Sequence, residues 1–114
     1  MDIHLRIYAF VVNCIKELIK KIPHTIENSI LIKQLTASLT SVGANDQEAD
    51  ASLSKKDFIA KYTIVRKELK ETLYWISLLS DIGALDRQIA EKFKKEGNEI
   101  YLIIASIISR TNSH

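Results

Sequence analysis

The segment "TSVGANDQEADASLSKKD", Thr40 to Asp57, decides the fold, because it contains the end of one predicted helix and the beginning of the next. Ser54, followed three residues later by Asp57, forms a variant of the capping box that opens a helix. The residues before Ser54 keep helical spacing despite a glycine and several polar side chains. The segment therefore predicts two long helices with a connection so short that they run antiparallel.

The rest of the chain divides at its few helix-breaking residues, which are one proline and three glycines. Helices are predicted from Asp2 to about Lys21, from the N-cap Thr25 to about Ala51, from Ser54 to about Ser80, and from the N-cap Asp86 to about Arg110. Pro23 ends the first helix, and Gly83 suits the end of the third. We expect an all-α protein, an up-down-up-down antiparallel four-helix bundle, with residues 1–114 forming one domain.

Length and composition limit the class of protein. A chain of 114 residues can bury a sufficient core, and its one cysteine, Cys14, makes no internal disulfide. The longest apolar run, Ile100 to Ser109, is far shorter than the roughly 20 residues that cross a bilayer. We therefore expect a cytoplasmic protein without a membrane partner. A net charge of +2 does not by itself indicate a polyanion partner.

Helix 2 carries a polar row between two apolar rows when it is placed on a helical wheel. One apolar row consists of Ile30, Ala37, Ala44 and Ala51, and the other of Leu35, Leu39, Val42, Ala49 and Leu53. The polar row between them includes Ser38, Ser41, Asn45 and Glu48. Its position predicts that it is buried or half-buried, so neighbouring helices should supply hydrogen-bond partners.

Helix 3 offers such partners if it folds back around Leu53, which places position 45 opposite 61 and position 38 opposite 68. Lys61 is then the counter-ion of Glu48, and Glu68 accepts from Ser38 or Ser41. The predicted structural polar network comprises Ser41, Asn45, Glu48, Lys61, Glu68 and Glu71. If the Glu48–Lys61 pair is buried, Glu48→Ala should cost about 3 to 5 kcal/mol. If the pair is exposed, the cost falls to about 0 to 1 kcal/mol.

Three motifs carry a family resemblance: "SVGANDQEA" at Ser41 to Ala49, "SKKDFIAK" at Ser54 to Lys61 and "KELKETLYW" at Lys67 to Trp75. They closely resemble the ribosomal RNA intervening-sequence proteins. The resemblance implies a four-helix bundle, and relatives look like ring-shaped homopentamers. A related protein, the accessory variability determinant of diversity-generating retroelements, works beside a reverse transcriptase and nucleic acid.

The chain departs from that family in helix 2. It has Ala37, Asp46 and Gln47 where relatives often carry arginine, an aromatic or aliphatic residue, and arginine. This loss of basic character lowers the expectation of nucleic-acid binding.

Catalytic and metal chemistry find little support in the sequence. None of His4, His24 and His114 has a glutamate three residues before it, as a di-iron bundle requires, so we expect no metal and no cofactor. Glu68 and Glu71 could form an acid/base pair, but no nucleophile or phosphate-binding glycine loop accompanies them. Cys14 lies among aliphatic residues and is predicted to be a buried hydrophobe. We predict no catalytic residue and no small-molecule substrate.

Two surface features point to partners. The residues from Ile100 to Ile108 are apolar almost all round helix 4, which implies cover by a neighbouring subunit. Helix 3 carries Lys55, Lys56, Arg66 and Lys70, which form either a solvated face or a phosphate track. The sequence therefore favours a non-enzymatic homo-oligomer acting as an assembly or interaction module, and the resemblance to ring-shaped relatives implies a pentamer. The alternative is an accessory nucleic-acid-binding protein acting beside RNA or a reverse transcriptase.

Overall fold

Four helices account for most of residues 2–113, the part of the chain that this computed structural model describes. Helix α1 spans Ile3–Asn13 and continues as a π-helix at Cys14–Leu18 and a 3₁₀ turn at Ile19–Lys21. Helix α2 spans Ile26–Asp50, α3 spans Lys55–Asp81 and α4 spans Arg87–Asn112. His114, considered above as a metal ligand, lies outside the described residues.

Side-chain caps set where the three long helices begin. The predicted caps Thr25, Ser54 and Asp86 accept hydrogen bonds from the backbone N–H groups of Asn28 at 3.0 Å, Asp57 at 3.1 Å and Ile89 at 3.1 Å. Such bonds satisfy N–H groups that have no partner within the helix. At the other end of α3, Gly83 has a φ of 80°, a left-handed conformation that glycine adopts without strain.

Each helix packs against the next one in the sequence, and α4 closes the bundle against α1. One continuous core runs along the bundle, and its fully buried members include Leu35 and Leu39 of α2, Ile76 of α3, and Ile100 and Ile104 of α4. This arrangement confirms the predicted all-α, up-down-up-down antiparallel bundle. No helix within residues 2–113 is both long and apolar enough to span a bilayer.

The first helical segment is less regular than its sequence predicts. We expected one helix to Lys21, but the α-helix ends at Asn13, where a π-helix begins. The buried residues Ile7, Phe10, Cys14, Leu18 and Ile22 are spaced mostly four apart. At 3.6 residues per turn, a four-residue spacing drifts round an α-helix by about 40° at each step. The wider π turn reduces that drift, so the later residues continue to face the core.

The first helical segment carries a second row of helically spaced apolar residues on its outer side: Leu5, Tyr8, Val12, Ile15 and Ile19. Leu5 is 62% exposed and Tyr8 is 66% exposed, while Val12, Ile15 and Ile19 are half-buried. The side of α1 that faces the core is the one that carries Ile7 and Phe10. Helix α1 is therefore apolar on two opposite sides, and only one side is covered within the chain.

Helix α2 also turns one of its apolar rows outward. Leu35, Leu39, Val42 and Ala49 of the larger row are buried, whereas Leu53 lies in the exposed connection to α3. The row of smaller residues, Ile30, Ala37, Ala44 and Ala51, is exposed along its length. We expected the polar row of α2 to be buried between two covered apolar rows. The row of smaller residues is exposed, so this part of the expectation is wrong.

Gly97 allows α4 to approach the bundle closely. It is buried, and a Cβ atom added there would lie 2.6 Å from Leu73 Cδ2 and 3.2 Å from Phe10 Cζ. At Gly43 of α2, the nearest contact of an added Cβ would be Val11 Cγ2 at 3.4 Å, an ordinary van der Waals separation. Of these two helical glycines, Gly97 is therefore the one that packing requires.

We expect Gly97→Ala to be less stable than Gly43→Ala by about 1 to 3 kcal/mol, the usual cost of overpacking. Both substitutions gain helix propensity of about 1 kcal/mol, so that contribution cancels in the comparison. Urea denaturation of both variants measures the difference. Equal stabilities would mean that Leu73 and Phe10 move aside without cost.

Candidate functional site

The carboxylate of Asp46 is a buried charge where three helices meet. Asp46 lies on α2, and its side chain is 1% exposed. The hydroxyl of Tyr62 on α3 donates to Oδ1 at 2.8 Å. Nδ1 of His4 on α1 lies 2.9 Å from Oδ1 and 3.1 Å from Oδ2. The site therefore joins α1, α2 and α3 through one side chain.

Local sequence explains why Asp46 points inward. It follows Leu39 by seven residues and precedes Ala49 by three, so it lies in the row that α2 buries. The sequence analysis noted Asp46 only as a departure from the family and did not propose it as a site residue. Two features of the sequence could have indicated this contact: a charged residue within a core row of α2, and a tyrosine on α3 whose hydroxyl needs a partner when it is buried.

Burial and the carboxylate together fix the chemistry of Tyr62. Desolvation raises the pKa of the phenol well above its ordinary value, and the hydrogen bond and charge of Asp46 raise it further. The hydroxyl therefore remains protonated and donates to Asp46 throughout the physiological pH range. Such a buried tyrosine has neither the ionisation nor the access to solvent that a general base needs.

His4 has a second carboxylate neighbour. Its Nε2 atom lies 3.2 Å from Oδ1 of Asp50, one helical turn beyond Asp46 and exposed. The backbone N–H of His4 donates to Oδ1 of Asp2, the N-cap of α1, at 3.1 Å. Three carboxylates therefore surround the first turn of α1.

Polar contacts on the other side of α1 join it to α4. Arg6 donates from Nε and Nη2 to the Glu96 carboxylate at 2.8 Å and 2.7 Å, and Nη2 also donates to Glu99 at 3.3 Å. The hydrogen bond from Arg6 lowers the pKa of Glu96, so this carboxylate stays ionised beside its partner. The sequence analysis did not identify this contact.

The predicted Glu48–Lys61 pair is present, but its position differs from the expectation. Lys61 Nζ lies 3.1 Å from Glu48 Oε1, and Glu48 is 56% exposed. The interpretation of Glu48 as a buried charge is therefore wrong, because the pair lies at the surface. Asn45 donates to the carbonyl of Ser41 at 2.9 Å and to its hydroxyl at 3.1 Å, so these two residues bond within α2.

The contacts between α2 and α3 are displaced by about one turn from the predicted pairing. Ser38 Oγ lies 3.0 Å from Thr72 Oγ1, one turn beyond the Glu68 that we expected opposite it. Burial raises the pKa of the half-buried Glu68, and the nearby charge of Glu71 raises it further. The six residues of the predicted network lie along α2 and α3 in separate contacts.

The other residues singled out by the sequence have simple environments. Burial raises the pKa of the Cys14 thiol strongly, so the thiol stays protonated. No group of three or more histidine, cysteine, aspartate or glutamate residues within 2–113 has an arrangement that could hold a metal ion. On α3, Lys55, Lys56 and Lys70 are exposed and Arg66 is half-buried.

Residues 1–106 match the 23S rRNA-intervening sequence protein family. The chain is also similar to a crystal structure of a protein with unknown function, from the S23 ribosomal protein family, from Bacteroides thetaiotaomicron. The two are 33% identical and superpose with a TM-score of 0.85, over 93% of this chain and 97% of that one. No curated protein sequence matches the chain.

Asp46→Ala should cost about 1 to 3 kcal/mol of unfolding free energy, because it leaves the Tyr62 hydroxyl buried without its acceptor and removes one of the two carboxylate partners of His4. Glu48→Ala, the matched surface variant, should cost about 0 to 1 kcal/mol. Combining Asp46→Leu with Tyr62→Phe should recover much of the loss, because no buried polar group is then left unpaired. Chemical denaturation measures all three, and similar losses for Asp46→Ala and Glu48→Ala would contradict the assignment.

Proposed function

The chain belongs to the 23S rRNA-intervening sequence protein family, and we propose that it acts in the cytoplasm as a non-enzymatic, homo-oligomeric assembly module. The observation that supports this proposal is the outer side of α1. Leu5 and Tyr8 are 62% and 66% exposed, on a helix whose opposite side is already buried in the core. A helix that is apolar on two opposite sides requires cover on both.

The exposed apolar surface of α1 continues onto α2. A groove of about 260 Å³ lies between the two helices, and Tyr8, Val11, Gly43 and Ala44 are among its lining residues. Thr40 and Gln47 complete its edge and are uncharged. Exposed apolar surfaces with polar edges are typical of protein interfaces.

A second copy of the chain fits this surface best. Helix α1 presents large apolar side chains, and α2 presents the small exposed side chains of Ala37 and Ala44 beside them. Packing the large residues of one copy against the small residues of the next makes a heterologous interface, which closes into a ring if the rotation permits. A pentamer remains the preferred count, on the resemblance to ring-shaped relatives.

Helix α4 contributes less to this surface than its sequence suggests. Ile100, Ile104 and Ile108 are buried within the chain itself, and most of the other apolar residues beside them are half-buried. Leu102, which is 66% exposed, is the large apolar residue that α4 still presents to solvent. The proposed interface is therefore centred on α1 instead of α4.

We expect the wild-type protein to have an oligomeric mass at micromolar concentration, and Tyr8→Glu and Leu5→Glu to be monomers, because each places a charge in a desolvated interface. Tyr74→Glu is the matched control, since Tyr74 is 59% exposed on α3, away from the proposed surface. Multi-angle light scattering measures the masses. A monomeric wild-type protein, or oligomeric Tyr8→Glu and Leu5→Glu variants, would contradict the proposal.

A second candidate function, nucleic-acid binding, gains support from the edge between α3 and α4. Lys70 Nζ lies 5.3 Å from the ring centroid of Tyr101, and Lys70 and Tyr74 of α3 line a groove with Lys94 of α4. Glu68 lies two helical turns from Lys61, on the side of α3 that contacts Glu48 of α2. Glu68 therefore lies on a different side of α3 from the basic groove, although it is close to Lys70 in the sequence.

This edge supplies few cations, so we expect weak binding to duplex DNA or RNA at physiological salt. Each phosphate neutralised on duplex DNA contributes about −0.9 to the slope of log K against log salt. Titration at several salt concentrations measures this slope, with Lys16→Ala, an exposed lysine of the π-helix after α1, as the control. Tight, steeply salt-dependent binding that is lost when Lys55, Lys56, Arg66 and Lys70 are replaced by alanine would make nucleic-acid binding the preferred function.

A further inference from the structure

We propose that the outer side of α1 in one copy docks on the edge between α2 and α3 of a second copy, with Lys16 facing Glu68 and Glu71 of that copy. This proposal rests on the proposed function, because it names the surface that covers Leu5 and Tyr8. The two surfaces are different patches of the same chain, so their contact is heterologous.

The docking surface is a stripe of α3 that lies beside α2 and is only partly covered. It consists of Lys61, Ile64, Glu68, Glu71 and Trp75, which are spaced three or four residues apart. The contact of Lys61 with Glu48 of α2 shows which side of α3 carries the stripe. Ile64 is 37% exposed, and Trp75 is half-buried. The stripe therefore presents apolar and acidic side chains together.

The acidic part of the stripe has no contacting cation in its own chain. Within residues 2–113, neither Glu68 nor Glu71 forms an ion pair with a basic residue. Burial raises the pKa of Glu68 and the charge of Glu71 raises it further, while Lys67 offsets these effects only in part. A partner that brings positive charge to this edge is therefore favoured over a neutral one.

The outer side of α1 supplies such a charge. Lys16 and Lys20 are exposed in the π-helix and the 3₁₀ turn that continue α1. Neither lysine has an ion pair among the described residues. They adjoin Ile15 and Ile19 of the outer apolar row. The surface that α1 presents to a second copy is therefore apolar at its beginning and positively charged at its end.

The register of the helices places Lys16 level with the acidic pair. Val11 Cγ2 lies 3.4 Å from the position of a Cβ added at Gly43, which aligns α1 with α2 at that height. Lys16 follows Val11 by five residues and Ser38 precedes Gly43 by five, so antiparallel helices bring Lys16 to the height of Ser38. Ser38 in turn contacts Thr72, the sequence neighbour of Glu71.

The same register brings the apolar parts of the two surfaces to one height. Tyr8 precedes Val11 by three residues, and Asp46 follows Gly43 by three. Asp46 contacts Tyr62, which is two residues from the exposed Ile64. In a ring whose axis is parallel to the helices, neighbouring copies meet at equal heights. Tyr8 of one copy then faces Ile64 of the next, while Lys16 faces the acidic pair.

The directions of the two surfaces also suit a closed ring. The outer side of α1 continues onto α2, and the stripe of α3 borders α2 from its other side. Adjacent faces of a four-helix bundle look about 90° apart, because the helices occupy the corners of a square. Closure requires the two contact surfaces of a subunit to look about 90° apart for four copies and about 108° apart for five.

Charge reversal tests the contact by sedimentation velocity over a dilution series. Glu68→Lys with Glu71→Lys, and Lys16→Glu with Lys20→Glu, each oppose like charges, so the dissociation constant should rise at least about tenfold. The variant with all four changes restores opposite charges and should assemble within about threefold of wild type. Helices α1 and α3 occupy opposite corners of the bundle, so this recovery arises between copies and not within one chain.

A disulfide provides a second readout, which does not depend on charge. Oxidation of the variant with Lys16→Cys and Glu71→Cys should link neighbouring copies, and the longest product on a denaturing gel counts the subunits. Lys16→Cys with Lys70→Cys is the matched control, because Lys70 is next to Glu71 in the sequence but lines the groove towards α4. The native Cys14 is buried and its thiol stays protonated, so it does not compete.

The outcomes separate this docking surface from the assembly itself. If the wild-type protein assembles but both charge-reversal variants keep its dissociation constant, the docking surface is wrong and the assembly proposal is unaffected. The same conclusion follows if the variant with all four changes does not recover, or if the Glu71 and Lys70 variants cross-link equally. A monomeric wild-type protein would overturn both proposals.

Discussion

The buried carboxylate of Asp46 is the constraint on which the arrangement of α1 depends. A charge that is 1% exposed needs donors around it, and α2 alone does not supply them. Tyr62 and His4 do so from the two neighbouring helices. Because His4 lies in the first turn of α1, meeting this requirement fixes the beginning of α1 against the C-terminal half of α2. The apolar surface that follows His4 on the same helix is positioned as a result.

Helix α1 divides its contacts among three sides. Ile7 and Phe10 face the core, His4 contacts α2, and Arg6 contacts α4. The remaining side carries Leu5 and Tyr8 and is left without cover. The π-helix after Asn13 keeps the core-facing side aligned to its end, because it absorbs the drift of residues spaced four apart. The outer side is therefore a consequence of how the other three sides are occupied.

The sequence predicts a structural feature best when the interaction that causes it is local in the chain. Thr25, Ser54 and Asp86 cap helices in the structure as they do in the sequence analysis, because a cap bonds to a backbone N–H only a few residues away. The pairing of α2 with α3 depends on the geometry of their connection, and the predicted partner of Ser38 was wrong by one turn.

The candidate site was predicted least well, because its contacts join residues far apart in the chain. His4 and Asp46 are 42 positions apart, and no local pattern links them. The orientation of α1 could not be predicted for a different reason. Both of its sides are apolar, so periodicity identifies the helix without showing which side is buried, and the extra residue of a π turn leaves no signature in composition.

The orientation of α1 and the polar contacts of the candidate site are nevertheless linked in the folded structure. A buried ion pair contributes little net stability compared with an apolar pair of similar size, because desolvation offsets the attraction. Helix α1 could, however, bury either of its apolar sides at similar gain. His4 and Arg6 reach Asp46 and Glu96 only when the side with Ile7 and Phe10 faces the core, so rotating the helix would leave the Asp46 charge without its histidine. We infer that these contacts select the rotation of α1. The same selection directs Leu5 and Tyr8 to solvent, where they form the surface that we propose for assembly.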